Sequence, residues 1–226
     1  MNDSTSNTAD LKNFVKGTLE LPLFGVCRTE VLFETVSDDI IEVVRKMPYG
    51  VVLGHPLSKG VLDTIEDRPN RIYKHHYQQV NWRLDRAALE LASRIEMTGY
   101  KTLPIPASIL VDWKEQRGHL SHRHAALDAG LGWRGRHGLV VTPEYGAQIR
   151  WVTVVTDMPL VPGEHLNEDC DNCRACIDVC PAGAITENGC DVARCFEKLI
   201  EFSKIQGVGQ YICGVCIKAC KGKRDG

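Results

Sequence analysis

The chain has 226 residues, 43% of them hydrophobic and 25% charged, with a formal net charge of −2; this is the mix of a soluble globular protein, not of a disordered or fibrous one. A near-neutral balance argues against a general nucleic-acid binder, because neutralising phosphates takes a basic excess on at least one face; a local patch stays open, and the cluster Lys218, Lys221, Lys223 and Arg224 reads more often as a solvated tail than as a binding site. The opening MNDSTSNTAD lacks the basic start and apolar stretch of a signal peptide and no run of about 18 apolar residues occurs, so the expectation is a cytoplasmic protein that does not engage a membrane.

Along the chain, SDDIIEVVRK (Ser37 to Lys46) predicts a helix capped by Ser37 or Asp38 and ended before Pro48, and GVVLG (Gly50 to Gly54) predicts a buried strand. Tyr77, Val80, Leu84, Ala88, Leu91 and Ile95 recur at three- and four-residue steps, which predicts a long helix from about Lys74 to Thr98 closed by Gly99. KTLPIPAS follows as an edge strand, since its two prolines exclude a central position. Ser121 to Ala129 predicts a shorter helix capped by Ser121 and stopped by Gly130. After the loop LGWRGRHG, the stretches Gly138 to Thr142 and Gln148 to Thr156 predict a hairpin turning at PEYGA. Prolines and a glycine in TDMPLVPGEHLN mark a domain boundary, giving an α/β domain over 1–160 and a small cysteine-rich domain over 161–226.

Nine of the ten cysteines lie between Cys170 and Cys220, a crowding that in a cytoplasmic chain points to metal ligation; Cys27 stands apart as a small buried hydrophobe. Cys170, Cys173, Cys176 and Cys180, followed by Pro181, form the run C-x2-C-x2-C-x3-C-P, in which three thiolates bind one [4Fe-4S] cluster and the fourth reaches a second. Cys213, Cys216 and Cys220 form a second group that is one ligand short. Taking Cys195 as the missing ligand assigns Cys170, Cys173, Cys176 and Cys220 to cluster one, and Cys180, Cys195, Cys213 and Cys216 to cluster two. Cys190 is then the spare thiol, or the alternative ligand if Cys195 points elsewhere. Structural zinc is the competing reading of paired CxxC units, and the Cys-Pro ending of the first run speaks against it.

The stretches HAALDAGLGWRGRHGLVVTPEYG, WVTVVTDMPL, CDNCRACIDVCPAGAI, ARC and CGVCIKAC resemble the catalytic and iron-sulfur core of the epoxyqueuosine reductase family, which shares its cluster arrangement with reductive dehalogenases. The likeness is specific from about His119 to Cys220 and weaker before it. It implies an α+β fold: a nitroreductase-like, cobalamin-binding α/β domain followed by a small dicluster ferredoxin-like domain. It also implies two [4Fe-4S] clusters passing electrons to a cobalamin, with Gly135, His137, Gly138, Leu139 and Val140 lining the corrinoid and Trp151 on a facing strand. Read from the residues alone, glycines 132, 135 and 138 either admit a large ligand or form a tight helix-to-strand loop, and Trp151 is a core aromatic.

The resemblance further implies a proton-donating aspartate in a Val-Asp pair, for which Val111-Asp112 stands in the right region with an atypical spacing, so His119, His122 and His124 are further candidates. The family continues past its clusters into helical repeats that help hold tRNA, whereas this sequence stops at Gly226. Together with the charge of −2, that disfavours tRNA and leaves a small-molecule or protein-bound substrate, with a ferredoxin or flavodoxin as electron donor. Two other functions stay open: a non-catalytic electron carrier that reductively activates a corrinoid protein, and a flavin oxidoreductase, because the same fold class serves flavins.

Overall fold

The computed structural model describes residues 3–113 and 116–223; Arg224 of the basic cluster lies outside them. In chain order, α1 (Asp3–Asn13) runs into a π-helical turn (Phe14–Thr18), then β1 (Leu23–Arg28), a 3-10 helix (Thr29–Thr35), α2 (Ile41–Val44), β2 (Tyr49–Pro56), α3 (Lys59–Asp63) and α4 (Arg71–Glu96). There follow β3 (Thr102–Ile105), α5 (His122–Asp128), β4 (Trp133–Arg134), β5 (Val140–Val141) and β6 (Ile149–Thr156). The cysteine-rich part holds α6 (Ala175–Asp178), β7 (Ile185–Thr186), β8 (Gly189–Cys190), α7 (Val192–Ser203) and α8 (Val215–Ala219). This is the mixed helix-and-sheet class that the sequence implies. No helix among the described residues is long and apolar enough to cross a membrane.

Two compact units emerge, one from 1–55, 81–131 and 150–166 and the other from 56–80, 132–149 and 167–226. The break at 166/167 lies near the expected 160/161, but a single cut does not describe the second unit, which takes in two earlier segments. The physical reason is core supply. The helices α6 and α8 are one turn each and α7 buries none of its residues, so Ile65 and Tyr73 are recruited and pack where a Cβ on Gly214 would fall, 2.8 and 2.7 Å away.

In the first unit a four-stranded sheet has the order β1-β2-β6-β3, with β1 antiparallel to β2 and β3 antiparallel to β6. The middle strands GVVL and WVTVVT are buried along their length, as β-branched runs covered on both faces are. β3 takes an edge, where Pro104 withholds no ladder hydrogen bond from a second neighbour. α4 buries Tyr73, Val80, Leu84, Ala88, Leu91 and Ile95, while Tyr77 stays partly exposed; Gly99, at φ +93°, closes it by donating to the Glu96 carbonyl at 2.9 Å. Ser121 caps α5, its hydroxyl accepting from the His124 amide.

Two expectations need correction, and one segment carried none. The helix from Ser37 shrinks to the single turn of α2, because the Ser37 backbone carbonyl takes the Ile40 and Ile41 amides in a turn before it. The amino-terminal α1, β1 and 3-10 segment was not anticipated. The hairpin at PEYGA is not formed: β5 pairs with β4, Trp133 opposite Val141, and β6 joins the large sheet. Thr142 to Gly146 instead bridges on itself and meets Cys220 to Gly222, so that a Cβ on Gly146 would fall 2.2 Å from the Cys220 carbonyl oxygen.

Candidate functional site

The nine cysteine thiols of the second unit interact in two overlapping sets. The first CxxC turns through Asp171, at φ +43°, with the Cys173 amide donating to the Cys170 carbonyl at 2.9 Å, and α6 then presents Cys176. α8, which packs against α6, presents Cys216. Cys170 and Cys173 act electrostatically on Cys176, and Cys176 and Cys170 act on Cys220. Cys180 acts on Cys213 and Cys216, Cys216, Cys213 and Cys180 all act on Cys195, and Cys176 of the first set also acts on Cys216. Among the described residues, no three His, Cys, Asp or Glu side chains gather tightly enough to hold a single ion. Thiolates that each bind a different iron of a cubane stand farther apart than that.

Burial pushes the thiols of Cys213 and Cys220 up to about 11, and that of Cys216 higher still. These sulfurs carry protons until a metal replaces them, so loading releases protons and strengthens with pH. Backbone amides are already aimed at them. His137 donates to Cys176 Sγ, Ala147 and Gly222 to Cys220, Val215 to Cys213, and Ala184 to Cys180 Sγ at 3.4 Å. Such N–H···S bonds stabilise the anionic sulfurs and raise a cluster's reduction potential. The donor set and its hydrogen bonds fit [4Fe-4S] clusters.

Arg136 is the residue that sequence reasoning missed. Its guanidinium donates to the carbonyls of Cys173 (2.6 Å) and Asp171 (2.7 Å) and pairs with Glu187 at 3.1 Å, so one planar fork fastens the first cysteine loop. Glu187 also binds Arg174, which reaches Asp178 at 3.7 Å. The signal in the sequence is a basic residue following Gly135 in a glycine-rich loop, which by itself does not say what it grips.

The glycine-rich loop closes β4 onto β5. A Cβ on Gly132 would stand 2.2 Å from the Val141 carbonyl oxygen, and one on Gly135 would stand 2.5 Å from the His137 ring. Gly138 sits at φ +77°, in the left-handed region. Each glycine thus has a reason within the unit, without any ligand. Gly135, His137 and Val140 are buried, while Gly138 and Leu139 keep part of their surface. His137 Nδ1 accepts the Leu139 amide at 3.1 Å, and burial lowers the ring's pKa to about 4.

The remaining candidates lie in the first unit. Trp151 is 7% exposed and its ring covers Gly54, where a Cβ would stand 2.6 Å away; it is a core aromatic of the sheet. His122 clamps two elements: Nδ1 meets Thr153 Oγ1 on β6 and Nε2 meets the Pro106 carbonyl, both at 2.9 Å. A carbonyl only accepts, so the proton is on Nε2 and Nδ1 accepts from the threonine. Burial, aided by Arg150, lowers this ring's pKa to about 4. His124 is exposed with Nδ1 2.7 Å from Ser121 Oγ, and Asp112 is exposed in a bridge with Arg117. His119 pairs with Asp39 at 3.3 Å. Cys27 is fully buried beside Gly50 and Thr153, its thiol pushed up to about 12 by burial. In the basic cluster, Lys218 binds the Ile65 and Asp63 carbonyls, and Lys223 pairs with Glu168 and Asp171 and lies 5.6 Å above the Trp133 ring.

Residues 165–186 match the 4Fe-4S binding domain family. The chain is 27% identical over 187 residues to an epoxyqueuosine reductase of Aliivibrio fischeri, covering 75% of this chain and 47% of that protein. It is 31% identical over 112 residues to one of Bacillus anthracis (46% of this chain, 30% of that one). Against the tetrachloroethene reductive dehalogenase of Sulfurospirillum multivorans it is 37% identical over 114 residues (42% and 22%). The chain therefore spans less than half the length of these curated relatives. A solved catabolic reductive dehalogenase superposes with a TM-score of 0.77 at 20% identity over 99% of this chain and 32% of that one. An epoxyqueuosine reductase solved with a tRNA stem loop superposes with a TM-score of 0.64 at 19% identity, over 95% and 64%. The chain resembles both groups in sequence and shares their fold.

Proposed function

We propose that this chain is an iron-sulfur reductase in which two [4Fe-4S] clusters deliver single electrons to a corrinoid that reduces a bound substrate. The observation that carries the reading is the gathering of nine thiols in the second unit, with backbone amides aimed at several sulfurs; it supports Cys170, Cys173, Cys176 and Cys220 as one ligand set beside Cys180, Cys195, Cys213 and Cys216. The corrinoid rests on resemblance to proteins that include a B12-dependent reductive dehalogenase. Of the loop, Gly138 and Leu139 keep the exposure to touch a ligand, and Gly135, His137 and Val140 support them from behind. When bound, a corrinoid supplies a cobalt centre that accepts electrons one at a time and reduces substrate. A proton must accompany that reduction. The His122 ring is neutral at pH 7 and its one N–H is engaged by Pro106, so Asp112 and His124, both exposed, are the donors to test first.

The electron donor would be a ferredoxin or flavodoxin. A small-molecule or protein-bound substrate is favoured over tRNA, because Lys218 and Lys223 are already engaged. Anaerobic purification followed by iron, sulfide, cobalamin and flavin analysis tests the proposal. It requires about eight irons per chain and cobalamin taken up with its visible bands; stoichiometric zinc without acid-labile sulfide would end it. The internal roles of Gly132 and Gly135 favour a second reading, a cluster protein that activates a separate corrinoid protein. That protein would show the iron-sulfur absorbance alone.

A further inference from the structure

Cluster two has a fifth thiol at hand, and the local fold dictates its position. Asp191 is the N-cap of α7: its backbone is extended (φ −73°, ψ 101°), its side chain accepts the Arg194 amide, and its carbonyl takes the Cys195 amide at 3.0 Å. Cys190 is therefore the residue before the cap, and Cys195 is the fourth residue of the helix. Side chains at these two positions pack on each other as a helix begins, the contact that usually joins two hydrophobic residues across a cap. Here it joins two sulfurs, with the Cys190 side chain in hydrogen-bond contact with Cys195.

Backbone pairing holds the arrangement in place. Cys190 is opposite Ile185 in the β7–β8 hairpin, and the next amide, Asp191, donates to the Ala184 carbonyl at 2.8 Å. The Cys190 sulfur is also near enough to Cys216 to act on it electrostatically. Both residues are only partly buried.

We propose that Cys190 is a second ligand for the iron corner assigned to Cys195, so that two thiols share one coordination position on cluster two. Exchange breaks the Fe–Sγ bond of Cys195 and forms that of Cys190. The proton released by Cys190 passes to Cys195 across their hydrogen bond, and no electron changes hands. The inference rests on the two-cluster reading above.

The test is iron content and electron paramagnetic resonance of the full chain, reconstituted anaerobically. Wild type must first show about eight irons; a shortfall there would refute the two-cluster reading and this proposal with it. Given that result, Cys195→Ala and Cys190→Ala should each keep about eight irons, the former with a changed cluster-two signal, and the double variant should fall to about four. A Cys195→Ala protein that holds about four irons, with cluster one's signal intact, would overturn the proposal. Wild type offers a route that needs no substitution. Brief alkylation of the iron-loaded protein followed by peptide mapping should find the label on either cysteine while iron is retained, and label confined to Cys190 would refute sharing.

Discussion

His122 offers the sharpest physical test, because its two hydrogen bonds and its titration make separable predictions. The folded ring titrates at about 4 against an ordinary 6.5. Its folded pKa is depressed, so the stability it contributes is fully present above pH 6.5 and is lost as the pH falls toward 4. Integrated to pH 5, the unfolded chain gains about 2 kcal/mol from binding the proton that the folded ring refuses. His122→Gln removes this titration. It also cannot span both Thr153 and Pro106, so it leaves one partner unsatisfied at a cost of about 1–3 kcal/mol. Anaerobic thermal unfolding of the iron-loaded proteins should show the variant less stable at pH 8. By pH 5 the gap should have narrowed by roughly 4–8 °C, taking about 2–4 °C per kcal/mol for a chain of this size. Acid lability of the clusters affects both proteins and cancels in the difference. A gap that stays constant from pH 8 to pH 5 would refute the neutral clamp.

Three further expectations follow from the second unit. Arg136→Ala removes charge-assisted bonds of about 1.5–3 kcal/mol each from the Cys170–Cys173 loop; a chelator should then strip iron in a fast phase of about half the total, slowed again in Arg136→Lys, and cluster one's potential should fall as the positive charge is lost. Gly138→Val places a branched side chain at φ +77° and should lower the melting temperature while leaving iron content unchanged; cobalamin uptake should disappear, and equal uptake would make the loop purely structural. Titration with labelled tRNA at roughly 150 mM salt should give only weak binding that fades as salt rises, and sub-micromolar binding there would restore tRNA as the leading substrate.

The chemistry was legible in the sequence because it is written in short-range spacing. The x2, x2, x3 run before Pro181 limits which thiolates one cubane can collect, and that constraint acts over a few residues of chain. The same holds for α4 and for the Ser121 cap, where periodicity and a local hydrogen bond suffice. Partner choice over long separations was not legible. β6 is an apolar run that follows a turn-forming stretch, yet it pairs in the large sheet, and the Thr142–Gly146 turn meets Cys220 to Gly222 and not a neighbouring strand. A basic residue in a glycine-rich loop gives no hint that Arg136 holds two carbonyls some 35 residues on, at Asp171 and Cys173. The sequence determined by itself that the chain carries a cluster-binding cysteine set. Only the tertiary structure decided that residues 56–80 and 132–149 build the unit around it, because short helices with little apolar surface must borrow a core from elsewhere in the chain.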